Sequence, residues 1–352
     1  MESGEKGAQL QQLHNYMADM FINDARLAFF FSAAVFGLMF AYLKSFVSKD
    51  LMITAIIVFS LIDIFRIDHR GETYTDNANL KQLFQKPGYV SAIQSLNDKS
   101  TFRILNLKQD GSLGSVQQNS NFNAYFLIQD LYGYSGIKPR AYQDYMDVLG
   151  SPANQTLWRM TNVKYIILDN PVNVAGLNTV YSGNKTYVYE NKNALPRSYF
   201  VNSVQKASAM EILNKVKNNQ FDPKGIAFVE DADIKVDRPD STATVQIEKY
   251  GDENIYLNVN ASGNNFLFLG DTYMPKGWKA YVDGNEIPIY RANHNFRGIV
   301  VPKGYHKIEF EYLPQSFVIT KNVSLVLSSL VVLGLLVSVG LNFRKKKEKI
   351  KS

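Results

Sequence analysis

The run Gly133–Gln143, GYSGIKPRAYQ, concentrates side chains that bind sugars and anions. Its Gly, Ser and Pro residues predict an irregular loop, and loops carry function more often than core strands do. Tyr134 and Tyr142 offer flat faces for a sugar ring. Lys138, Arg140 and Gln143 offer donors for hydroxyl or phosphate oxygens. The same residues also suit a structural turn that opens a helix after Arg140. A second set, Trp278, Arg291, His294 and Arg297, falls in a strand-rich region. There Trp278 reads as a sugar platform, an interfacial anchor or the core tryptophan of a small β domain. Asp63 lies inside an apolar run, where a carboxylate is functional by default. Arg66 stands three residues on, so an ion pair near the headgroups is the competing reading. Asp68, just beyond, would make a carboxylate pair at the membrane face. Asp231-Ala232-Asp233 has the Asp-x-Asp form that holds a phosphate-bridging metal. After the expected strand GIAFVE it reads better as a solvated turn. His14, His69, His294 and His306 lack metal-ligand spacing, and no metal site or cofactor is evident. The chain has no cysteine, which excludes disulfides and thiolate chemistry. It has neither a phosphate-cradling Gly loop nor a Gly-x-Ser-x-Gly elbow.

These residues must be positioned by a chain of 352 residues with sharply segregated apolar content. Its mean hydropathy is only −0.17 because a polar middle offsets apolar ends. Of the formal net charge of +6, the last nine residues supply six basic side chains against one acidic. The remainder is almost neutral and gives no electrostatic reason to expect nucleic acid as a partner. From Asn322 to Phe343 no residue is charged. A run of that length spans a bilayer, and the RKKKEKIK that follows places this end in the cytoplasm. Leu27–Leu43 is also uncharged, and Leu51–Ile67 carries only Asp63 and Arg66. The short basic connection KSFVSKD reads as a cytoplasmic loop between two antiparallel spans. The alternative is one span and one interfacial helix.

This orientation leaves residues 68–316 outside the cell. The first 25 residues, with four acidic side chains against one basic, are then outside too. No signal peptide precedes them, so the sequence is expected to be the C-terminal part of a longer polytopic protein. Short strands are expected at Phe102–Leu107, Lys164–Leu168, Thr186–Glu190 and Ser198–Asn202. Helical spacing is expected over Gln143–Leu149, Ala153–Met160 and Ala207–Asn218. After about Thr242 only strands follow, with a two-residue hairpin at Asp283-Gly284 and a turn at Pro302-Lys303-Gly304. The expected fold is an α+β membrane protein with about three transmembrane helices. Its parts are an exterior segment over 1–25, two spans over 26–67 and an extracytoplasmic α/β domain over 68–241. A small β-sandwich or barrel over 242–316, a span over 317–343 and a basic tail over 344–352 complete it.

The strand-rich end also carries recognisable phrases. Tyr273-Met274-Pro275-Lys276-Gly277-Trp278, the Val282-Asp283-Gly284 turn, Tyr290-Arg291-Ala292-Asn293 and Pro302-x-Gly304-x-His306 precede a membrane helix and a basic tail. Upstream stand GYSGIKPRAYQDYMD (Gly133–Asp147), LWRMTNVKYII (Leu157–Ile167) and NKNALPRSYFV (Asn191–Val201). Together these resemble the C-terminal portion of the YfhO family of bacterial membrane proteins. The resemblance implies a multi-pass protein of the bacterial inner membrane and a parent similar to glycosyltransferases of the C type. Such enzymes take a polyprenyl-phosphate sugar as donor and build on surface glycans. Their key acidic residues lie in a first exterior loop that this sequence does not contain. The implied partners are membrane lipid, a surface glycan or lipid-linked sugar, and further transmembrane helices or a partner helix bundle. A non-enzymatic, membrane-anchored polysaccharide- or protein-binding module is the alternative.

Overall fold

A computed structural model describes residues 2–68, 84–107, 121–133, 135–150, 153–230 and 233–351. The chain divides into two units, Met1–Leu83 and Phe84–Ser352. In the first, helix α1 (Glu2–Leu43) turns back through a short connection into α2 (Lys49–Asp68). The helix therefore begins well ahead of the apolar run expected at Leu27. Arg66 on α2 donates to Asp63 (3.2 Å) and to Asp24 on α1 (2.8 Å). The expected pair with Arg66 is thus formed, and it also ties the two helices. Asp68 ends α2 and is exposed.

The second unit opens with α3 (Gly88–Ser95) and β1 (Arg103–Leu107), then a single 3₁₀ turn at Phe122–Phe126. Helices α4 (Arg140–Leu149) and α5 (Gln155–Met160) lead to β2 (Val163–Leu168), β3 (Leu177–Gly183) and β4 (Thr186–Asn191). Next come β5 (Ser198–Val201), β6 (Ser203–Lys206), α6 (Ala209–Lys217) and β7 (Ile226–Val229). The rest is β8 (Thr244–Tyr250), β9 (Asn254–Ala261), β10 (Asn265–Thr272), β11 (Trp278–Val282) and β12 (Asn285–Ile287), then β13 (Tyr290–Ala292), β14 (Phe296–Val301), β15 (Gly304–Tyr312) and α7 (Gln315–Lys351).

Three sheets result, ordered β1-β2-β4-β3, β5-β10-β14-β13-β7-β6 and β12-β11-β15-β9-β8. The five- and six-stranded sheets bury one face against each other. Leu257 and Val259 of β9 and Ile308 and Phe310 of β15 meet Leu267 and Leu269 of β10 and Ile299 of β14. Of sandwich and barrel, the chain adopts the sandwich. The other face of the six-stranded sheet packs on the helices, with Tyr145, Leu157, Leu213 and Val216 against Phe266, Phe268 and Phe296. The five-stranded sheet leaves its other face to water, and the alternating burial of β9 reflects that one-sided role.

Local signals account for much of this. Ser208 caps α6 by accepting from the Glu211 amide, while Ile212, Leu213 and Val216 bury one helix face. Asn154 caps α5 and also donates to the Val216 carbonyl (2.8 Å), joining α5 to α6. Asp283 (φ 50°) and Gly284 (φ 82°) take the left-handed turn expected between β11 and β12. EIPIYRA, which reads as one strand, splits at Pro288. β12 stays with β11, and β13 crosses to the other sheet. The expected boundary near Thr242 does not separate the sheets, because β5, β6 and β7 join the six-stranded sheet with β10, β13 and β14. A strand as apolar as β10 needs cover on both faces and on both edges, so it recruits partners from the earlier region.

Two helices are long and apolar enough to cross a membrane, His14–Leu43 within α1 and Gln315–Ser338 within α7. The second rises about 36 Å at 1.5 Å per residue, against a hydrocarbon core of about 30 Å. Leu325, Leu330, Val331, Leu335 and Leu336 are all more than half exposed along it. Apolar side chains exposed all round a helix suit lipid and not water.

One irregularity positions the site described next. The β10–β14 register shifts between Leu269 and Thr272, a bulge that contains Gly270 and Asp271. A Cβ at Gly270 would lie 2.5 Å from the Met160 carbonyl oxygen. Gly270→Ala should therefore lower stability by about 1–3 kcal/mol through a forced backbone shift. Gly136→Ala, where the added methyl meets nothing within 4 Å, should not. Thermal unfolding of the two full-length variants in detergent micelles checks this.

Candidate functional site

The bulge turns Asp271 into a buried cluster of arginines. Arg103, at the start of β1, donates to Asp271 Oδ1 through Nη2 (2.6 Å). Its Nη1 donates to the carbonyls of Thr161 (2.9 Å) and Gly270 (2.8 Å). Arg197, just ahead of β5 and 1 % exposed, donates to the same Oδ1 (3.0 Å), to Tyr250 Oη (2.8 Å) and to Gln129 Oε1 (2.8 Å). The Tyr250 hydroxyl donates to Oδ1 as well (2.9 Å). Arg297 on β14, 3 % exposed, lays its guanidinium 3.8 Å from the centroid of the Trp278 ring. Its Nη2 is 3.9 Å from Asp271 Oδ2. Burial alone would raise the Asp271 pKa, but Arg103, Arg197 and Arg297 outweigh it and hold the group down to about 2. Burial lowers Arg297 to about 10, only partly offset by Asp271.

A cleft of about 620 Å³ opens beside this cluster, lined by Arg103, Asp271, Trp278, Arg297, Gln129 and Tyr132, among others. Asp130 lies on its wall. It accepts from the side-chain amides of Asn106 (2.9 Å) and Asn123 (2.8 Å) and from the Tyr132 amide (3.1 Å). Burial raises its pKa to about 6, against the opposing pull of those hydrogen bonds. It is therefore a cleft carboxylate placed to exchange a proton not far below neutral pH. A smaller cavity of about 180 Å³ shares Arg103 and Asp130 with the cleft.

The expected site residues are divided by this geometry. Trp278 and Arg297 line the cleft. Trp278 is half-buried against Arg297 and Tyr312, so it packs at the edge of the sandwich core. Tyr142 faces the smaller cavity, and its hydroxyl donates to the Leu131 carbonyl (3.3 Å). Arg140 is exposed and pairs with Asp144 on its own helix (2.7 Å). Gln143 donates to Asp147 on that helix (2.7 Å), and Lys138 is exposed. The turn-and-helix reading of this run is the one observed. Arg291 belongs to a separate group. It approaches Glu230 (3.7 Å) and stacks on Tyr273, while His294 joins Glu230 (2.6 Å) to Asp144 (3.0 Å) and so clips α4 to the sheet. Tyr134, His69, Asp231 and Ala232 lie outside the described residues.

Arg103, Arg197, Asp271, Tyr250, Gln129 and Asp130 were not expected. A signal was present for two of them. Asp271 interrupts the strand NFLFLG, and Arg197 directly precedes the buried strand SYFV. A charge at the end of a fully buried strand requires a partner.

Taken together, the fold defines a membrane-associated α+β protein whose β-sandwich sits immediately before an apolar helix. Residues 238–324, from just ahead of β8 into α7, match the family model of the bacterial membrane protein YfhO. This stretch contains Tyr250, Asp271, Trp278 and Arg297. No curated protein and no solved structure matches the chain.

Two outcomes follow from the electrostatics. Asp271→Asn leaves the buried guanidiniums of Arg197 and Arg297 and the half-buried one of Arg103 without this counter-charge and should cost about 3–5 kcal/mol, seen as a large drop in the thermal midpoint at pH 7. Asp130 works in the opposite sense. Its folded pKa exceeds its unfolded one, so its stabilising contribution is complete below pH 4 and is lost as pH rises through about 6. Between pH 4.5 and 7 the wild type should lose stability relative to Asp130→Asn, on the order of 2 kcal/mol. Parallel urea titrations across that range would show it.

Proposed function

We propose that this chain is the membrane-anchored C-terminal module of a YfhO-like protein, and that its cleft binds or positions a surface glycan or lipid-linked sugar. By this reading the 84–312 region faces the exterior and the basic tail the cytoplasm. Helix α2 is a third span beside the two apolar helices. The observation that carries the reading is the cleft itself. It combines aromatic side chains (Tyr132, Tyr250, Trp278) with donors and acceptors (Arg103, Arg297, Gln129, Asp130) in about 620 Å³. Sugar sites use this mixture, aromatic faces for the apolar side of a ring and planar polar groups for its hydroxyls.

The module's part in a polyprenyl-phosphate-sugar-dependent transfer would be to hold substrate. Asp271 is committed to arginines, and Asp130, held by Asn106, Asn123 and the Tyr132 amide, is the cleft carboxylate whose affinity for a proton burial raises. That same commitment favours the second reading, a non-enzymatic polysaccharide-binding module. Sugar transfer by the chain alone would exclude the second reading.

The test is retention of neutral surface-oligosaccharide fragments by the full chain in detergent micelles. Tyr132→Ala, at the cleft wall, should weaken retention several-fold. Arg140→Ala, paired on the exposed face of α4, should leave it unchanged. Equal retention by wild type and Tyr132→Ala would remove the cleft from the function.

A further inference from the structure

The cluster around Asp271 carries more positive charge than it can neutralise. Arg103, Arg197 and Arg297 face a single buried carboxylate. Arg103 and Arg197 saturate Asp271 Oδ1 together with Tyr250. Arg297 is left over. Among the described residues its Nε and Nη1 have no acceptor although both atoms are buried, and Asp271 Oδ2 likewise has no donor. A buried guanidinium without an acceptor is costly, and it is kept at 3 % exposure by Trp278 and Phe310 stacking on it.

The cleft beside it adds Asp130, and Asp252 at its exposed rim, where water and salt screen the charge. With Asp130 ionised, the buried and half-buried groups (Arg103, Arg197, Arg297, Asp271 and Asp130) still sum to one uncompensated positive charge. Asp271 Oδ2 would repel an incoming anion, but the three guanidiniums outnumber it. Trp278 holds the flat face of Arg297 and leaves the guanidinium plane as its hydrogen-bonding direction. That planar fork matches two oxygens of a carboxylate or phosphate.

We propose that Arg297, beside Arg103 and Trp278, is the binding site for a singly charged oxyanion, a carboxylate or phosphodiester carried by the ligand of the cleft. The inference rests on the glycan reading above and names the group within the glycan that the floor of the cleft selects. Arg297 binds the anion, Arg103 adds its field, and Trp278 fixes the orientation of the fork.

Trp278 makes the site observable. The chain has two tryptophans, so Trp158→Phe leaves Trp278 as the single reporter in contact with Arg297. The full-length Trp158→Phe protein in detergent micelles is titrated with dimethyl phosphate and, separately, with acetate, with sodium chloride holding ionic strength constant. A saturable change in Trp278 fluorescence, half-complete at about millimolar anion, is expected for at least one probe. The tighter probe identifies the group as phosphodiester or carboxylate. Arg297→Met should raise the half-saturating concentration roughly tenfold or more. Should that variant not fold, Arg297→Lys, which keeps the charge without the fork, carries the same expectation. No saturable response to either probe up to about 50 mM, or an unchanged response in the Arg297 variant, overturns the proposal. If neutral glycan fragments are still retained when both anions fail, only the anion site falls. Anion binding without glycan retention overturns the glycan reading instead.

Discussion

One carboxylate organises the second unit of this protein. Asp271 Oδ1 receives Arg103 from the first sheet, Arg197 from the lead-in to β5 and Tyr250 from the end of β8. These residues come from three sheets, and they meet at a bulge that only a glycine at position 270 allows to pack against the Met160 carbonyl. Buried ion clusters seldom add much net stability, because desolvating the charges cancels most of the attraction. Their effect is on geometry. Any slip of β10 against β14 or of β1 against β2 would strand a buried charge, so the cluster penalises every register but one.

That constraint also explains why the cleft exists where it does. Arg103 is held on one side by the carbonyls of Thr161 and Gly270, and Arg197 is enclosed by Gln129 and Asn162. Both are therefore unavailable for rearrangement. Among the described residues, Arg297 Nε and Nη1 have no acceptor, and its guanidinium is held by the rings of Trp278 and Phe310 and a 3.9 Å approach to Asp271 Oδ2. Rigid neighbours and one under-satisfied cation are what a preorganised binding site requires, because the cost of ordering the groups is met during folding and not during binding.

The parts of this architecture that were legible in the sequence are those with local causes. The long apolar run into α7, the Asp283-Gly284 turn, the helical spacing within Ala207–Asn218 and the strands after Thr242 each depend on a few adjacent residues. The grouping of strands into sheets was not legible. β5, β6 and β7 read as part of an earlier domain, yet their partners lie as far along as β10 and β13. Pairing across such separations is decided by total burial, and no short window contains that information. The site follows the same division. Trp278 and Arg297 stood out as isolated functional types in a strand region. Arg103, Arg197 and Asp271 are separated by 94 and 74 residues, and only the closed fold makes them a cluster. The loop at Gly133–Gln143, rich in functional side chains, instead spends Arg140 and Gln143 on carboxylates of its own helix.

The family match has an unequal relation to the site. It covers Tyr250, Asp271, Trp278 and Arg297 but begins after Arg103, Asp130 and Arg197. The matched stretch thus contributes the counter-charge, the unsatisfied guanidinium and its aromatic support. The earlier stretch contributes the two arginines that bind Asp271 Oδ1 and the Asp130 carboxylate that also lines the cleft. β5, which pairs with β10, also comes from the earlier stretch. The upstream region fills Asp271 Oδ1 with Arg103 and Arg197, while Arg297, from the matched stretch, stays 3.9 Å from Oδ2. The make-up of the cleft is therefore a property of the two regions folded together, and it arises from the same sheet pairing that joins strands across the boundary expected near Thr242.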